Sequence, residues 1–237
     1  MKTVCLLLFI CLGYTTFAQE DSSQDWIKVL SYGASNQTDQ KKISLEEAIQ
    51  RQERCIPSSF SNANLILSNQ ALVENVIVKY DFKEQVLLVR QDDYVLVGAP
   101  NMVKRIQFEN PQFGELINVQ ELGRSYGRRG FYSVLANSNN GYLVKYHSFE
   151  QKKIMPNSSV TTTNVYEPLE EEPEFFINEE TLITKNEELF VLENFKPKTL
   201  SKFNTLSNSL KAYIKKEKLK FKNEDDLRKF ATYLWSL

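Results

Sequence analysis

Between residues 64 and 149 apolar and polar positions alternate with a period of two, in short runs separated by polar turns. Runs of this kind, rich in Val, Ile, Leu and aromatics, are the signature of half-buried strands. The pattern predicts strands at Asn64–Leu67, Val73–Tyr80, Gln85–Arg90, Tyr94–Gly98, Val103–Phe108, Glu115–Glu121, Phe131–Ala136 and Tyr142–Phe149. Gln91-Asp92-Asp93 joins one pair, and Asn139-Asn140-Gly141 joins the last, where Asn140 and Gly141 both tolerate positive φ. No helical insert interrupts the series, so the expectation is an antiparallel β-meander that curls into a sandwich or half-barrel.

On either side the period changes. Residues 19–43 are polar apart from Trp26-Ile27 and Val29-Leu30, and read as a loosely ordered arm. A short helix follows, because Ser44 and Glu47 have capping-box spacing and Leu45, Ala48 and Ile49 make a narrow apolar face ending before Pro57. Residues 156–173 hold three prolines, a Ser/Thr/Asn cluster and Glu170-Glu171-Glu172, the composition of a linker. Three short strands are expected next, at 174–177, 181–184 and 188–192, with turns at Asn178-Glu179-Glu180 and Lys185-Asn186-Glu187. Helical spacing then takes over. Pro197 suits a first helical position before Leu200 and Phe203. Leu206, Leu210, Tyr213 and Ile214 make one stripe, and Leu227, Phe230, Ala231 and Leu234 make a second. Asn223 before Glu224, Asp225 and Asp226 is a helix start, since the cap satisfies free N–H groups and the carboxylates suit the positive dipole end. The class is therefore α+β, a β-meander followed by a small β-sheet plus C-terminal helices. Its segments are a leader (1–18), a polar arm and short helix (19–58), an antiparallel β domain (59–155), a linker (156–173) and an α+β C-terminal domain (174–237).

The first segment is read as a leader because Lys2 precedes an apolar run from Val4 to Gly13 and a small-residue exit at Thr16-Phe17-Ala18. Cleavage after Ala18 and export to the periplasm or the extracellular space are expected. The run is shorter than the roughly 20 residues that cross a bilayer, so no transmembrane segment is expected. Cys11 follows Leu8-Phe9-Ile10 rather than the small residues that precede a lipidated cysteine. Cleavage also removes Cys5 and Cys11, which leaves Cys55 without a disulfide partner and fits a bacterial envelope.

The chain of 237 residues, 42% apolar and 25% charged, has ample material for a packed core. Its net charge of −1 hides an asymmetry: residues 19–195 carry about −9 and residues 196–237 about +7. Residues 167–193 are the most acidic and adjoin the lysine-rich tail, so the two can neutralise each other.

The tail from Leu210 to Leu227, with Tyr233-Leu234-Trp235-Ser236-Leu237, resembles a group of secreted proteins from Bacteroidetes. Pro100-Asn101-Met102-Val103-Lys104-Arg105-Ile106 and Gly130-Phe131-Tyr132-Ser133-Val134-Leu135 fit the middle of that group, and the leader ending in Phe17-Ala18-Gln19 looks like the same phylum. The resemblance implies no activity, cofactor or catalytic residue.

Candidate chemistry is sparse. Gly123-Arg124-Ser125-Tyr126-Gly127-Arg128-Arg129-Gly130 combines flexible backbone with guanidinium forks, which makes Arg124, Arg128 and Arg129 candidates for binding a phosphate, sulfate or carboxylate. Its spacing matches no phosphate-loop pattern and no helix follows it, so a solvated hairpin loop is the plainer alternative. The lysines at 215, 216, 218, 220 and 222 are read as solvating a helix end. Cys55 has no helper His or Asp beside it and reads as a small buried apolar residue. A single histidine, His147, excludes a multi-His metal site, and its strand face also carries Lys145 and Phe149. The chain has no Gly-x-Ser-x-Gly stretch. No cofactor or metal is implied, and export argues against a nucleic-acid partner. The leading expectation is an exported, non-enzymatic binding or interaction module whose partner is another envelope protein or an anionic ligand. A carrier of lipid or another apolar ligand is one alternative, and a secreted hydrolase using carboxylates is another.

Overall fold

The computed structural model describes residues 26–27, 41–122, 129–151, 175–185, 188–192 and 200–237. The leader, the linker, most of the polar arm, Pro197, Arg124 and Arg128 lie outside the described residues. The strands are β1 (Lys42–Ser44), β2 (Cys55–Leu67), β3 (Leu72–Asp81), β4 (Val86–Arg90), β5 (Tyr94–Gly98) and β6 (Val103–Phe108), followed by β7 (Glu115–Asn118), β8 (Phe131–Ser138), β9 (Gly141–Gln151), β10 (Phe175–Lys185) and β11 (Glu188–Val191). The helices are α1 (Leu45–Gln50), α2 (Ser207–Glu217) and α3 (Glu224–Ser236). All of these strands belong to one antiparallel sheet in the order β1-β5-β4-β3-β2-β6-β7-β8-β9-β10-β11. No helix among the described residues is long and apolar enough to cross a membrane.

The alternating runs all become strands, and each departure has an identifiable cause. β2 starts at Cys55, well before Asn64, because its polar first half pairs with β3 through an irregular stretch between Ile56 and Ser61. Pro57 lies in that stretch and has no N–H to give the ladder, so a strand was hidden behind loop-like residues. β7 stops at Asn118, whose side chain accepts from Gln120 N (3.1 Å) and turns the backbone into a 3-10 helix over Val119–Leu122. The turn expected at Asn178-Glu179-Glu180 does not form. These residues run straight through β10, opposite Ser148, His147 and Tyr146 of the long strand β9. Cross-strand partners override the turn propensity there. The expected small separate sheet is therefore not seen: β10 and β11 extend the one sheet.

The sheet bends strongly. Tyr80 on β3 and Phe131 on β8 are four strand spacings apart, about 19 Å in a flat sheet, yet their rings meet edge to face at 5.1 Å between centroids. Phe131 N also donates to Tyr80 Oη. The space enclosed by this bend is filled by Leu65, Val78, Leu87, Val89 and Ile106, all fully buried, and Trp26 and Ile27 pack against the same cluster. β4 is covered on both faces, which explains its unbroken Leu87-Leu88-Val89: Leu88 turns the other way, into a cluster with Ile43, Ala48 and Cys55.

Under α1 that second cluster carries charge. Ser44 caps the helix by accepting from Glu47 N at 3.1 Å. The buried Lys79 ammonium donates to Ala48 O near the helix C-terminus and lies 4.8 Å from the centre of the Phe60 ring. Burial lowers its pKa. The Asp81 carboxylate, with no exposed side-chain surface, accepts from Arg54 Nε at 3.0 Å, from Lys83 N at 3.1 Å and from Glu84 N at 3.0 Å. Arg51 Nη1 stands 3.5 Å away.

The tail helices form along the apolar stripes, except that Phe203 and Leu206 fall in a 3-10 segment, Ser201–Leu206, kinked at Asn204. Leu210 is buried on α2 and Leu227, Phe230, Ala231 and Leu234 on α3, and they close over Leu143 of β9 and Ile183 of β10. Asn223 caps α3 by accepting from Asp226 N (2.9 Å). At its other end Lys185 Nζ donates to Leu234 O (2.6 Å) and Asn140 Nδ2 to Trp235 O (2.9 Å), so carbonyls the helix leaves unpaired are met by the sheet. Trp235 Nε1 donates in return to Thr184 O (2.8 Å). Gly141 is glycine for this reason: a Cβ there would collide with Thr184 O and Trp235 Nε1.

Candidate functional site

Three loops at one end of the bent sheet enclose a cleft of about 480 Å³. The β3–β4 turn supplies Glu84 and Gln85, the β5–β6 connection supplies Ala99, Pro100 and Asn101, and the residues flanking the arginine-rich loop supply Asn118 to Gln120, Arg129 and Gly130. The wall is held by hydrogen bonds made by two of its side-chain amides, Gln85 and Asn118. Tyr80 Oη donates to Gln85 Oε1 (2.7 Å), and Gln85 Nε2 donates to Phe82 O (2.6 Å). Asn118 Nδ2 reaches both Pro100 O (2.9 Å) and Val103 O (3.1 Å). Burial raises the Tyr80 phenol, which keeps it protonated as the donor this arrangement needs. The wall is thus rigid, and Arg129 stands exposed at its rim.

Gly130 allows this arrangement. It has φ +96°, and a Cβ on it would overlap Gln85 Oε1 and Tyr80 Oη. Gly130→Ala is expected to cost about 2–4 kcal/mol, combining left-handed backbone strain with overpacking. Gly114 has φ +61° with open space around it, so Gly114→Ala should cost roughly 1–2 kcal/mol from the backbone alone. Urea unfolding midpoints of the two variants check the order.

A second polar constellation lies on β8, β9 and β10. Ser133 Oγ and His147 Nε2 are 3.0 Å apart, and His147 Nδ1 is 3.3 Å from Glu179 Oε1. Lys145 Nζ joins Glu179 Oε2 (3.1 Å) to Glu224 Oε1 (3.0 Å) at the start of α3. Burial lowers the His147 pKa, with Glu179 opposing the shift and Lys145 adding to it, so the ring is neutral at pH 7. Lys145 is itself lowered by burial, but its bonds to Glu224 and Glu179 outweigh this and raise it. The hydrogen bond from Lys145 in turn lowers Glu224.

Of the sequence candidates, Arg129 is on the cleft rim, while Arg124 and Arg128 fall outside the described residues. Cys55 is buried and free, and burial pushes its thiol up to about 11, so it is protonated at neutral pH. Among the described residues no group of three or more His, Cys, Asp and Glu side chains is placed to hold a metal ion. The alternation along β9 placed Lys145 and His147 on one face. That Ser133 and Glu179 flank them depends on strand register, which no local pattern encodes. The chain matches no family model, and no curated protein or solved structure is significantly similar to it.

Proposed function

We propose that this is an exported bacterial envelope protein, akin to secreted proteins of Bacteroidetes, that binds a small anionic ligand in the cleft beside Arg129. The leader-like N-terminus supports export, and the bent sheet is read as a half-barrel with the cleft at its mouth, a common place for ligands. The observation that carries the reading is the preorganised wall. Gln85 and Asn118 are fixed by their own hydrogen bonds, which leaves the exposed guanidinium of Arg129 as the cation at the rim. A planar fork of donors suits a carboxylate, sulfate or phosphate. Among the described residues that line the cleft, the polar groups are amides and single charges, which suits binding.

Calorimetric titration of the mature protein with phosphate, sulfate and glucuronate tests the reading. At least one should bind saturably, and Arg129→Gln should weaken it at least tenfold, or about 1.4 kcal/mol, the scale of a hydrogen bond to a charged group. No saturable binding by any of the three, or equal affinity in the variant, overturns it.

A further inference from the structure

The Ser133–His147–Glu179 relay is independent of the anion cleft. The geometry points to Ser133 as a nucleophile that takes the acyl group of a small activated ester, with His147 as its general base and Glu179 as the residue that positions the ring. Nδ1 faces the Glu179 carboxylate, which favours the tautomer with the ring proton there and the Nε2 lone pair toward the Ser133 hydroxyl. The three groups come from adjacent strands of a regular sheet, so their spacing is fixed by the ladder. The Phe82 ring stands 6.1 Å from the imidazole and shields one side of it. Ser133 is half-buried and Glu179 half exposed, so this face of the sheet meets solvent at both ends of the relay.

In the step, Ser133 Oγ adds to the carbonyl carbon as its proton passes to His147 Nε2. Collapse of the tetrahedral adduct breaks the bond to the leaving oxygen, which departs with that proton. Water then adds to the acyl-serine with His147 again taking the proton, and releases the carboxylic acid and free Ser133. The backbone around Ser133 is paired on both sides, with β7 at Leu116 and with β9 at Lys145. Charge developing on the carbonyl oxygen must therefore be met by a side chain, and Lys145, directly across the ladder from Ser133, is the cation in place. A single ammonium already held by two carboxylates is a weak substitute for an oxyanion hole. This restricts the substrate class to esters with good leaving groups and excludes amides.

The test uses the mature protein with p-nitrophenyl acetate and a fluorophosphonate probe. Mass spectrometry should place the phosphonyl label on the Ser133 peptide. His147→Gln should slow its attachment about 100-fold, the lower range for a general base, and Ser133→Ala should abolish both label and ester turnover. Glu179→Gln separates positioning from packing. Glu179 raises His147 while Lys145 and burial lower it, and Lys83 and Glu224 are the other charges nearby. Losing the carboxylate lowers the His147 pKa further, so the acid limb of the labelling rate should move to lower pH. Absence of label on wild-type Ser133 overturns the assignment without recourse to any variant. So does labelling that is unchanged in His147→Gln, or a change in melting alone with no shift of the acid limb.

Discussion

Asp81→Asn is expected to destabilise the protein by about 3–5 kcal/mol, the cost of breaking a buried ion pair from one side. The native carboxylate is completely buried and is shared by Arg54 at 3.0 Å, Arg51 at 3.5 Å and the backbone N–H groups of Lys83 and Glu84. An asparagine keeps the volume and can still accept from those two N–H groups. It removes the buried charge shared by two guanidinium groups, which leaves Arg51 with Glu47 and Arg54 with Glu84 at the solvent edge, and the Lys79 ammonium buried in the same cluster. The arginines would then have to turn outward toward those exposed partners, which opens the contact between β3 and the turn after α1, or stay in place without a buried counter-charge. Glu84→Gln is the matched control. Glu84 faces Arg54 at 3.8 Å with half its side chain in solvent, so its loss should stay within about 0.5 kcal/mol. Guanidinium chloride unfolding of both variants measures the difference, and a loss under about 1 kcal/mol for Asp81→Asn would show that solvent reaches this cluster.

Local pattern carried the elements and not their partners. Period-two alternation located the strands, and Ser44 and Asn223 marked helix starts that the structure confirms with hydrogen bonds to Glu47 N and Asp226 N. What stayed hidden depends on contacts made far along the chain. The first half of β2 looks like loop because Pro57, Ser58, Ser59, Ser61 and Asn62 are poor strand formers, yet it is held between β3 and the cluster under α1. Asn178-Glu179-Glu180 looks like a turn, yet Lys145 and His147 across the ladder give Glu179 two partners and keep the strand straight. Gly141 was legible as a turn glycine, whereas the close approach of Thr184 O and Trp235 Nε1, far along the chain, was not. The cleft shows the same limit. The arginine-rich loop was visible as composition, whereas the wall beside it is made by Tyr80, Gln85 and Asn118, ordinary strand and turn residues whose role appears only when three loops converge.

Phe230→Ala is expected to cost about 3–5 kcal/mol, whereas Lys216→Ala should stay within roughly 0.5 kcal/mol. Phe230 is fully buried at the centre of the tail cluster, edge to face with Phe203 at 6.1 Å and with Phe221 at 5.4 Å. Truncation removes both ring contacts, each worth about 0.5–1.5 kcal/mol beyond its buried area, and leaves a cavity that α3 cannot close. α3 is pinned at both ends, by Lys145 to Glu224 and by Lys185 and Asn140 to the carbonyls of Leu234 and Trp235. A pinned helix cannot slide to refill the hole, which places the cost toward the upper part of the range. Lys216 sits on the opposite side of α2 with 81% of its side chain in solvent and a contact to Glu217 at the 4.0 Å limit. Because α3 lies on β8, β9 and β10 of the one continuous sheet, the Phe230→Ala loss should appear in the main unfolding transition rather than as separate early melting of the tail. Thermal unfolding in a Trp26→Phe background, where Trp235 is the one indole left, followed by fluorescence and by far-UV circular dichroism reads both. Coincident, downshifted transitions are the expected result, and a low-temperature fluorescence step that leaves the sheet signal unchanged would show that the helices dock as an independent unit.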